Sequence, residues 1–123
     1  MADGRELGRA GERAAERVRR RAGLTILARN WRAAGGELDL AALEGDTLVF
    51  VEVKTRRHGF SAEHAPVSAR QRRRITRAAH AFRRRFGVRH LPYRFDELTI
   101  EGDPRRPHAV TWTRTPPAKE PQA

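Results

Sequence analysis

The spacing of two acidic residues, Asp39 and Glu52, could let them hold a metal ion together. A lysine, Lys54, lies beside the second acid. The stretch 36–55 predicts a β-hairpin, because two strand-like runs flank Gly45-Asp46 and Gly accepts the positive φ of a hairpin turn. A two-residue loop there places Asp39 directly opposite Glu52. Directly opposed residues have Cβ atoms roughly 4.5–5.5 Å apart, so the two carboxylates repel unless one is protonated or a cation lies between them.

One face of this hairpin is predicted to be acidic and the other apolar. The acidic face carries Glu37, Asp39, Glu52 and Lys54, because successive side chains of a strand point to opposite faces. Mg²⁺ commonly uses one or two carboxylates together with waters. The pattern therefore predicts a site for Mg²⁺ or Mn²⁺ with a basic residue beside it, although alternating acids with Glu–Lys pairing are also typical of a solvated strand face. The apolar face is expected to consist of Leu38, Leu40, Ala42, Val49, Val51 and Val53.

Hydrophobic spacing predicts the elements that position this hairpin. Helices are predicted over 7–21 and from Pro66–Ser68, with Ser68 as N-cap, to Gly87; strands are predicted over 24–32, 93–101 and 108–113. The order is thus α, β, β, β, α, β with one further strand. The connection through the second helix is long enough for a parallel crossover. We therefore predict an α/β fold in which helices pack against a mixed sheet that is antiparallel at the hairpin.

The chain is long enough for one hydrophobic core. We expect a single domain over residues 1–113, followed over 114–123 by a Pro-rich tail that lacks core residues and is expected to be disordered. The segment 56–65 leaves the hairpin at the Lys54 end, where it is either a plain connection or a cover for the site.

The second helix carries one polar residue on its apolar side and many arginines elsewhere. Gln71 lies one turn before Ile75 on the inner stripe, which continues to Phe86, so it either caps a buried group or faces the site. A run of arginines is commonly a solvated face, but it also suits contacts to nucleic-acid phosphates. The outer arginines are expected to be Arg72, Arg73, Arg74, Arg77, Arg83, Arg84 and Arg85.

The charge balance points to a polyanionic partner. The formal net charge is +11, and 24 of the basic residues are Arg against two Lys. Such a balance favours nucleic acid first and an anionic membrane surface second. Arginine bias throughout the chain weakens the argument, because it can reflect genome composition.

Several classes of protein are excluded or disfavoured. The chain has no Cys, which excludes disulfides and thiolate zinc sites. Its five His include no HExxH pattern. No stretch reads as a signal peptide or approaches the length of a membrane span, so we expect a cytoplasmic protein with no membrane partner.

The order of elements, with Asp39 on one strand and Glu52-Val53-Lys54 on the next, resembles the PD-(D/E)XK nuclease superfamily. That resemblance implies a restriction-endonuclease-like αβββαβ core whose paired acids bind Mg²⁺ beside the lysine. More narrowly, the chain resembles the YraN-like family of small bacterial proteins, which are related to archaeal Holliday-junction resolvases. The matching residues lie between about 5 and 100, and they are Gly8, Gly11-Glu12, Ala15, Arg29-Asn30-Trp31-Arg32, Gly36-Glu37-Leu38-Asp39-Leu40, Phe50 to Arg56, Val67 and Arg94-Phe95-Asp96.

The resemblance implies a role for each of the site residues. Asp39 and Glu52 would be the metal ligands, and Lys54 would orient or activate the attacking water. Glu12, which its helical spacing predicts to be a surface carboxylate, becomes an additional acid of the metal site. Gln71 becomes an auxiliary site residue.

The basic residues assigned to DNA are Arg70, Arg73 and Arg77 on the second helix. Arg70 stands where the family usually has Lys, which preserves the charge but changes the phosphate geometry. The chain after Ile100 does not follow the family's usual closing strand.

These observations predict a metal-dependent endonuclease that hydrolyses phosphodiester bonds of DNA, with branched DNA as one candidate substrate and a homodimer as one candidate assembly. One alternative is a non-catalytic nucleic-acid-binding module that retains a nuclease-like fold. Another is a structural protein whose acidic patch docks a basic protein surface. Incubation with DNA in the presence and absence of divalent metal separates the first prediction from the others.

Overall fold

The computed structural model describes residues 4–56, 69–103 and 106–114. The predicted N-cap Ser68, most of the predicted 56–65 loop and the tail after Arg114 lie outside the described residues. The helices and strands are α1 (Gly4–Arg21), β1 (Thr25–Ala33), β2 (Gly36–Glu44), β3 (Thr47–Arg56), α2 (Ala69–Arg85), β4 (Tyr93–Asp103) and β5 (Arg106–Thr113). None of the described helices is long and apolar enough to span a bilayer.

The five strands form one mixed sheet in the order β1-β2-β3-β4-β5. The pair β3–β4 is parallel and the other neighbours are antiparallel. This arrangement confirms the predicted α/β fold, with its αβββαβ core and its parallel crossover through α2. The further strand is β5, which extends the sheet beyond that core.

The hairpin formed by β2 and β3 has the predicted register. Leu40 pairs with Val51, and Glu44 pairs with Thr47. Gly45 has a φ of 58° in the turn between them, a left-handed conformation that glycine adopts without a Cβ clash. The turn therefore fixes which residues of the two strands are neighbours.

The sheet separates two hydrophobic clusters, one under each helix. Ala14 and Ala15 of α1 pack with Leu40, Ala42, Val49, Val51, Leu98 and Ile100, whereas Ala78, Ala79 and Phe82 of α2 pack with Ala41, Leu48, Phe50 and Tyr93. Neighbouring residues of a strand thus belong to different clusters, because successive side chains point to opposite faces of the sheet. Each helix covers one face of the sheet.

The predicted apolar face of the hairpin is wrong at Leu38. This residue packs in the cluster under α2, where it pairs with Trp31, although Leu40 packs under α1. The strand alternation therefore breaks at Asp39. On β1, Asn30 lies between Arg29, which pairs with Leu40, and Trp31, which pairs with Leu38. The left-handed φ of 50° at Asn30 interrupts the regular pleat of the strand.

Phe86 also departs from its predicted place on the inner stripe of the second helix. It follows the last residue of α2, and its side chain is 49% exposed. Its ring still contacts Trp31 and Phe82, with centroids 6.1 Å and 4.6 Å away. The aromatic cluster therefore continues past the end of the helix and reaches solvent.

Candidate active site

Asp39 and Glu52 meet where the two strands of the hairpin separate. The regular ladder ends at the Leu40–Val51 pair. Beyond it, the backbone N–H of Val53 donates to Oδ2 of Asp39 at 2.8 Å, so a side chain replaces the next ladder bond. The carboxyl groups of Asp39 and Glu52 share a hydrogen bond. The predicted meeting of the two acids is confirmed, although it arises through their side chains and not through a regular cross-strand pair.

The surroundings of the pair disfavour two negative charges. Burial raises the pKa of Asp39, and the charges of Glu12 and Glu37 raise it further. Burial also raises the pKa of Glu52, with contributions from Asp39 and Glu97, while Lys54 acts in the opposite direction. Because two neighbouring half-buried carboxylates repel each other when both are ionised, the site holds a proton more tightly than an ordinary carboxyl group does.

Gln71 faces the site, which resolves the two alternatives that its spacing left open. Its amide Nε2 donates to Oε1 of Glu52 at 2.8 Å. The first turns of α2 lie very close to the start of β2. A Cβ on Gly36 would collide there with the backbone carbonyl of Arg74. The absence of a side chain at Gly36 thus lets α2 approach the strand and brings Gln71, one turn earlier, to Glu52.

Lys54 lies beside the acids but has a partner that the sequence did not identify. Its Nζ is 3.5 Å from Oε1 of Glu97, and its side chain is only 13% exposed. Glu97 belongs to β4, where the parallel register aligns it with Glu52. A strand over 93–101 was predicted, but the register of a parallel pair is not fixed by a tight turn, so no sequence signal placed Glu97 here.

The close approach of α1 to β3 places Glu12 near the acidic site. A Cβ on Gly11 would collide with the hydroxyl of Thr55 on β3, so only glycine permits this contact. The Glu12 carboxylate hydrogen-bonds Asn30, and its burial raises its pKa. Its charge also acts on Asp39. Glu12 is thus half-buried rather than an exposed surface carboxylate, and its role as an additional acid of the metal site stays a prediction.

The available carboxylate oxygens suit a cation most of whose ligands are water or substrate oxygens. Within residues 4–56, 69–103 and 106–114, no group of three or more His, Cys, Asp or Glu side chains is close enough to hold a metal ion. This part of the chain therefore offers the oxygens of Asp39 and Glu52, and waters or substrate oxygens would complete the shell of a cation bound there. Mg²⁺ is commonly bound by one or two carboxylates together with substrate phosphates, so the residues present fit it.

The arginines of α2 fall into three groups. The first group is exposed and so accessible to a partner, and it consists of Arg70, Arg73, Arg74, Arg77, Arg84 and Arg85. Arg72 is also exposed, and it lines a pocket that includes Glu52. Arg83 is buried, and its placement on an outer, phosphate-facing surface is wrong: its guanidinium donates to the carbonyl of Arg89 at 2.7 Å and stacks on Tyr93.

The matching Arg94-Phe95-Asp96 segment has a structural role that is distinct from the acidic site. Asp96 is buried, and it accepts hydrogen bonds from Nε of Arg94 at 3.0 Å and from the indole N–H of Trp112 at 2.8 Å. The guanidinium of Arg19 lies 3.6 Å from the same carboxylate. This network joins α1, β4 and β5, and it compensates charges that are buried under α1.

Comparison with known proteins identifies relatives over most of the chain. The model of the family described as "Uncharacterised protein family UPF0102" matches residues 11–100. A UPF0102 protein of Symbiobacterium thermophilum is 43% identical over 101 residues, covering 81% of this chain and 86% of the relative. UPF0102 proteins of Pseudomonas entomophila (41% over 96 residues, covering 75% and 76%) and Pseudomonas syringae pv. syringae (37% over 112 residues, covering 89% and 91%) are also similar.

Proposed function

We propose that this chain, which belongs to the uncharacterised protein family UPF0102 and thus to the YraN-like proteins, is a metal-dependent endonuclease that hydrolyses phosphodiester bonds of DNA. The observation that carries the proposal is the half-buried, hydrogen-bonded pair Asp39 and Glu52 with Lys54 beside it. A structural carboxylate pair is ordinarily neutralised by basic partners. This pair instead has raised pKa values, as expected of a site that becomes fully ionised only when a cation binds.

The protein's own residues supply the orientation of this site. The N–H of Val53 and the amide of Gln71 each hold one carboxylate oxygen, so the two acids are fixed before any ligand arrives. Mg²⁺ bound there would polarise the scissile phosphate and lower the pKa of an attacking water. Glu12 adds negative charge on the side of α1 and strengthens the attraction for a divalent cation.

Lys54 provides a positive charge that its neighbours hold in place. Its pairing with Glu97 restricts the side chain, while an ammonium group has three donors that can serve more than one acceptor. We assign it to the attacking water or to the negative charge that develops on the phosphate. A lysine suits this role because its ammonium group is a compact point charge, whereas a guanidinium is a larger planar group.

The exposed arginines of α2 would bind the DNA backbone. Arg70, Arg73 and Arg77 lie three and four residues apart, so they share one side of the helix. Together with the net charge of +11, they support binding to the phosphates that flank the cleaved bond. Branched DNA is one candidate substrate, and the resemblance to junction-resolving nucleases is the reason to test it.

The test is incubation of the protein with branched and linear DNA in Mg²⁺, in Mn²⁺ and in EDTA. We expect cleavage only with metal, and a loss of at least roughly 100-fold in Asp39→Asn and in Glu52→Gln. Asp46→Asn is the matched control, because this carboxylate lies in the exposed turn of the same hairpin. Cleavage that survives EDTA or both site variants would contradict the proposal. Binding without cleavage under all conditions would support the non-catalytic module instead.

A further inference from the structure

A pocket of about 360 Å³ adjoins the acidic site on the α2 side of the sheet. Its apolar lining includes Ile75 of α2 and Phe95 of β4, whose ring packs on the almost fully buried ring of Phe50 with centroids 5.6 Å apart. Its polar lining includes Arg72 and Thr76 of α2. An aromatic surface with a cation beside it is therefore open to a ligand.

The pocket is continuous with the site proposed for cleavage. Glu52 lines the pocket and also shares the hydrogen bond with Asp39. Glu97, the partner of Lys54, lines it as well. A group bound in the pocket would thus be separated only by the Glu52 side chain from the phosphate that the acidic pair is proposed to process.

The chemistry of the lining does not suit a phosphate. Phosphates need donors and positive charge, whereas aromatic rings offer a flat apolar surface on which nucleic-acid bases stack. The volume lies near the lower end for small-molecule pockets, which run from ~300 to 1,000 Å³. Such a pocket can admit one base but not a base pair within a duplex.

We propose that this pocket binds an unpaired base of the DNA, next to the phosphate that is cleaved. The inference rests on the proposed function and specifies its substrate class: DNA that offers an unstacked nucleotide, in a single strand or beside a branch point. Phe95 supplies the stacking surface, because it is less deeply buried than Phe50. Arg72 is placed to contact either the base or its neighbouring phosphate.

The first experiment uses the wild-type protein and varies only the DNA, with EDTA present so that binding is measured without cleavage. The probes are a single-stranded oligonucleotide, the matching duplex, and an abasic strand with the same phosphates. We expect the single strand to bind about 10-fold or more tightly than the abasic strand, since each stacked base contributes a factor of that order. We also expect 2-aminopurine in the single strand to be quenched. Equal affinities for the normal and abasic strands would overturn the inference.

The second experiment closes the pocket from the α2 side. Thr76→Phe fills it, whereas Thr76→Val leaves it open and is the matched control. The Thr76 hydroxyl donates to the carbonyl of Arg72 in its own helix at 2.7 Å, so neither change leaves a buried partner elsewhere unpaired. We expect Thr76→Phe to lose the preference for the single strand over the abasic strand, and Thr76→Val to retain it. If the two variants bind alike, the base is held elsewhere.

The two proposals fail in different ways. Preference for strands with bases, without metal-dependent cleavage, would retain the pocket and reject the nuclease. Metal-dependent cleavage by a protein that binds abasic and normal strands equally would retain the nuclease and reject the pocket. If Thr76→Phe does not fold, the wild-type comparison of the two strands still decides the matter.

Discussion

Asp39→Asn is expected to stabilise the metal-free protein at neutral pH and to abolish its response to Mg²⁺. The variant keeps the shape of the side chain, and its amide oxygen can still accept the N–H of Val53, which now donates to Asp39 at 2.8 Å. What it removes is a carboxylate that burial and neighbouring acids make costly to ionise. It also removes one of the two acids available to a cation, so metal can no longer stabilise the fold through this site.

The size and pH dependence of this effect follow from the acid itself. The pKa of Asp39 is raised to about 6, so the folded chain holds a proton that the unfolded chain releases at lower pH. The bound proton on Asp39 therefore stabilises the folded chain fully at pH values below the ordinary carboxyl range. This stabilisation is lost as the pH rises through about 6. Since a tenfold change in proton affinity is about 1.4 kcal/mol, the variant should be more stable by on the order of 3 kcal/mol at pH 7.5 and by almost nothing near pH 4.

Thermal unfolding in EDTA and in Mg²⁺, at both pH values, measures this effect. For a domain of this size the gain corresponds to a Tm about 5 °C or more higher at pH 7.5. Wild type should gain about 1.4 kcal/mol when Mg²⁺ is tenfold above its Kd, and Asp39→Asn should gain nothing. Asp46→Asn, in the exposed turn, should behave like wild type. The reasoning is refuted if Asp39→Asn is no more stable than wild type in EDTA, or if both respond equally to Mg²⁺.

Three further predictions test the remaining assignments. Replacing Arg73 and Arg77 together with Ala should leave the fold intact and make the log–log salt dependence of DNA binding shallower by about 0.9 for each phosphate that these arginines neutralise; an unchanged slope in a salt titration would place the DNA on another surface. Lys54→Arg should keep the ion pair, the metal response and DNA affinity, yet lose at least roughly 100-fold in single-turnover cleavage, because a guanidinium is bulkier and stays protonated; a variant that cuts as fast as wild type would reduce Lys54 to a simple positive charge. Asp96→Asn should destabilise the protein by about 3 kcal/mol in denaturant unfolding, because Arg19 loses its carboxylate while remaining buried; a change below about 1 kcal/mol would show that the network is not needed for the fold.

The local parts of this fold could be predicted because short-range chemistry determines them. The glycine of the turn fixed the hairpin register from Glu44–Thr47 to Leu40–Val51, and this register brought Asp39 and Glu52 to the end of the same ladder. The parallel crossover followed from the length of the connection that contains α2. Each of these inferences depends on residues that are close in sequence or joined by one turn.

What could not be predicted depends on contacts between distant elements. Arg83 lies in a helix that is rich in arginine, and nothing in that run distinguishes it from its exposed neighbours; the ring of Tyr93 and the carbonyl of Arg89 bury it. Glu97 pairs with Lys54 only because of the register of two parallel strands. Leu38 changes face opposite Asn30, a residue of another strand that adopts a left-handed backbone. In each case the deciding partner belongs to a different element.

The candidate site lies where the regular sheet is interrupted, and two glycines hold the helices against it there. The ladder of the hairpin stops at Leu40, so the next backbone donor is free to orient a carboxylate instead of a strand. Gly11 lets α1 approach β3, and Gly36 lets α2 approach β2, at positions where a single methyl group would collide. Glu12 follows the first contact directly, and Gln71 is one turn from the second. The acids are therefore fixed by strands and by two closely packed helices, and this rigidity keeps the two carboxyl groups adjacent without a bound cation.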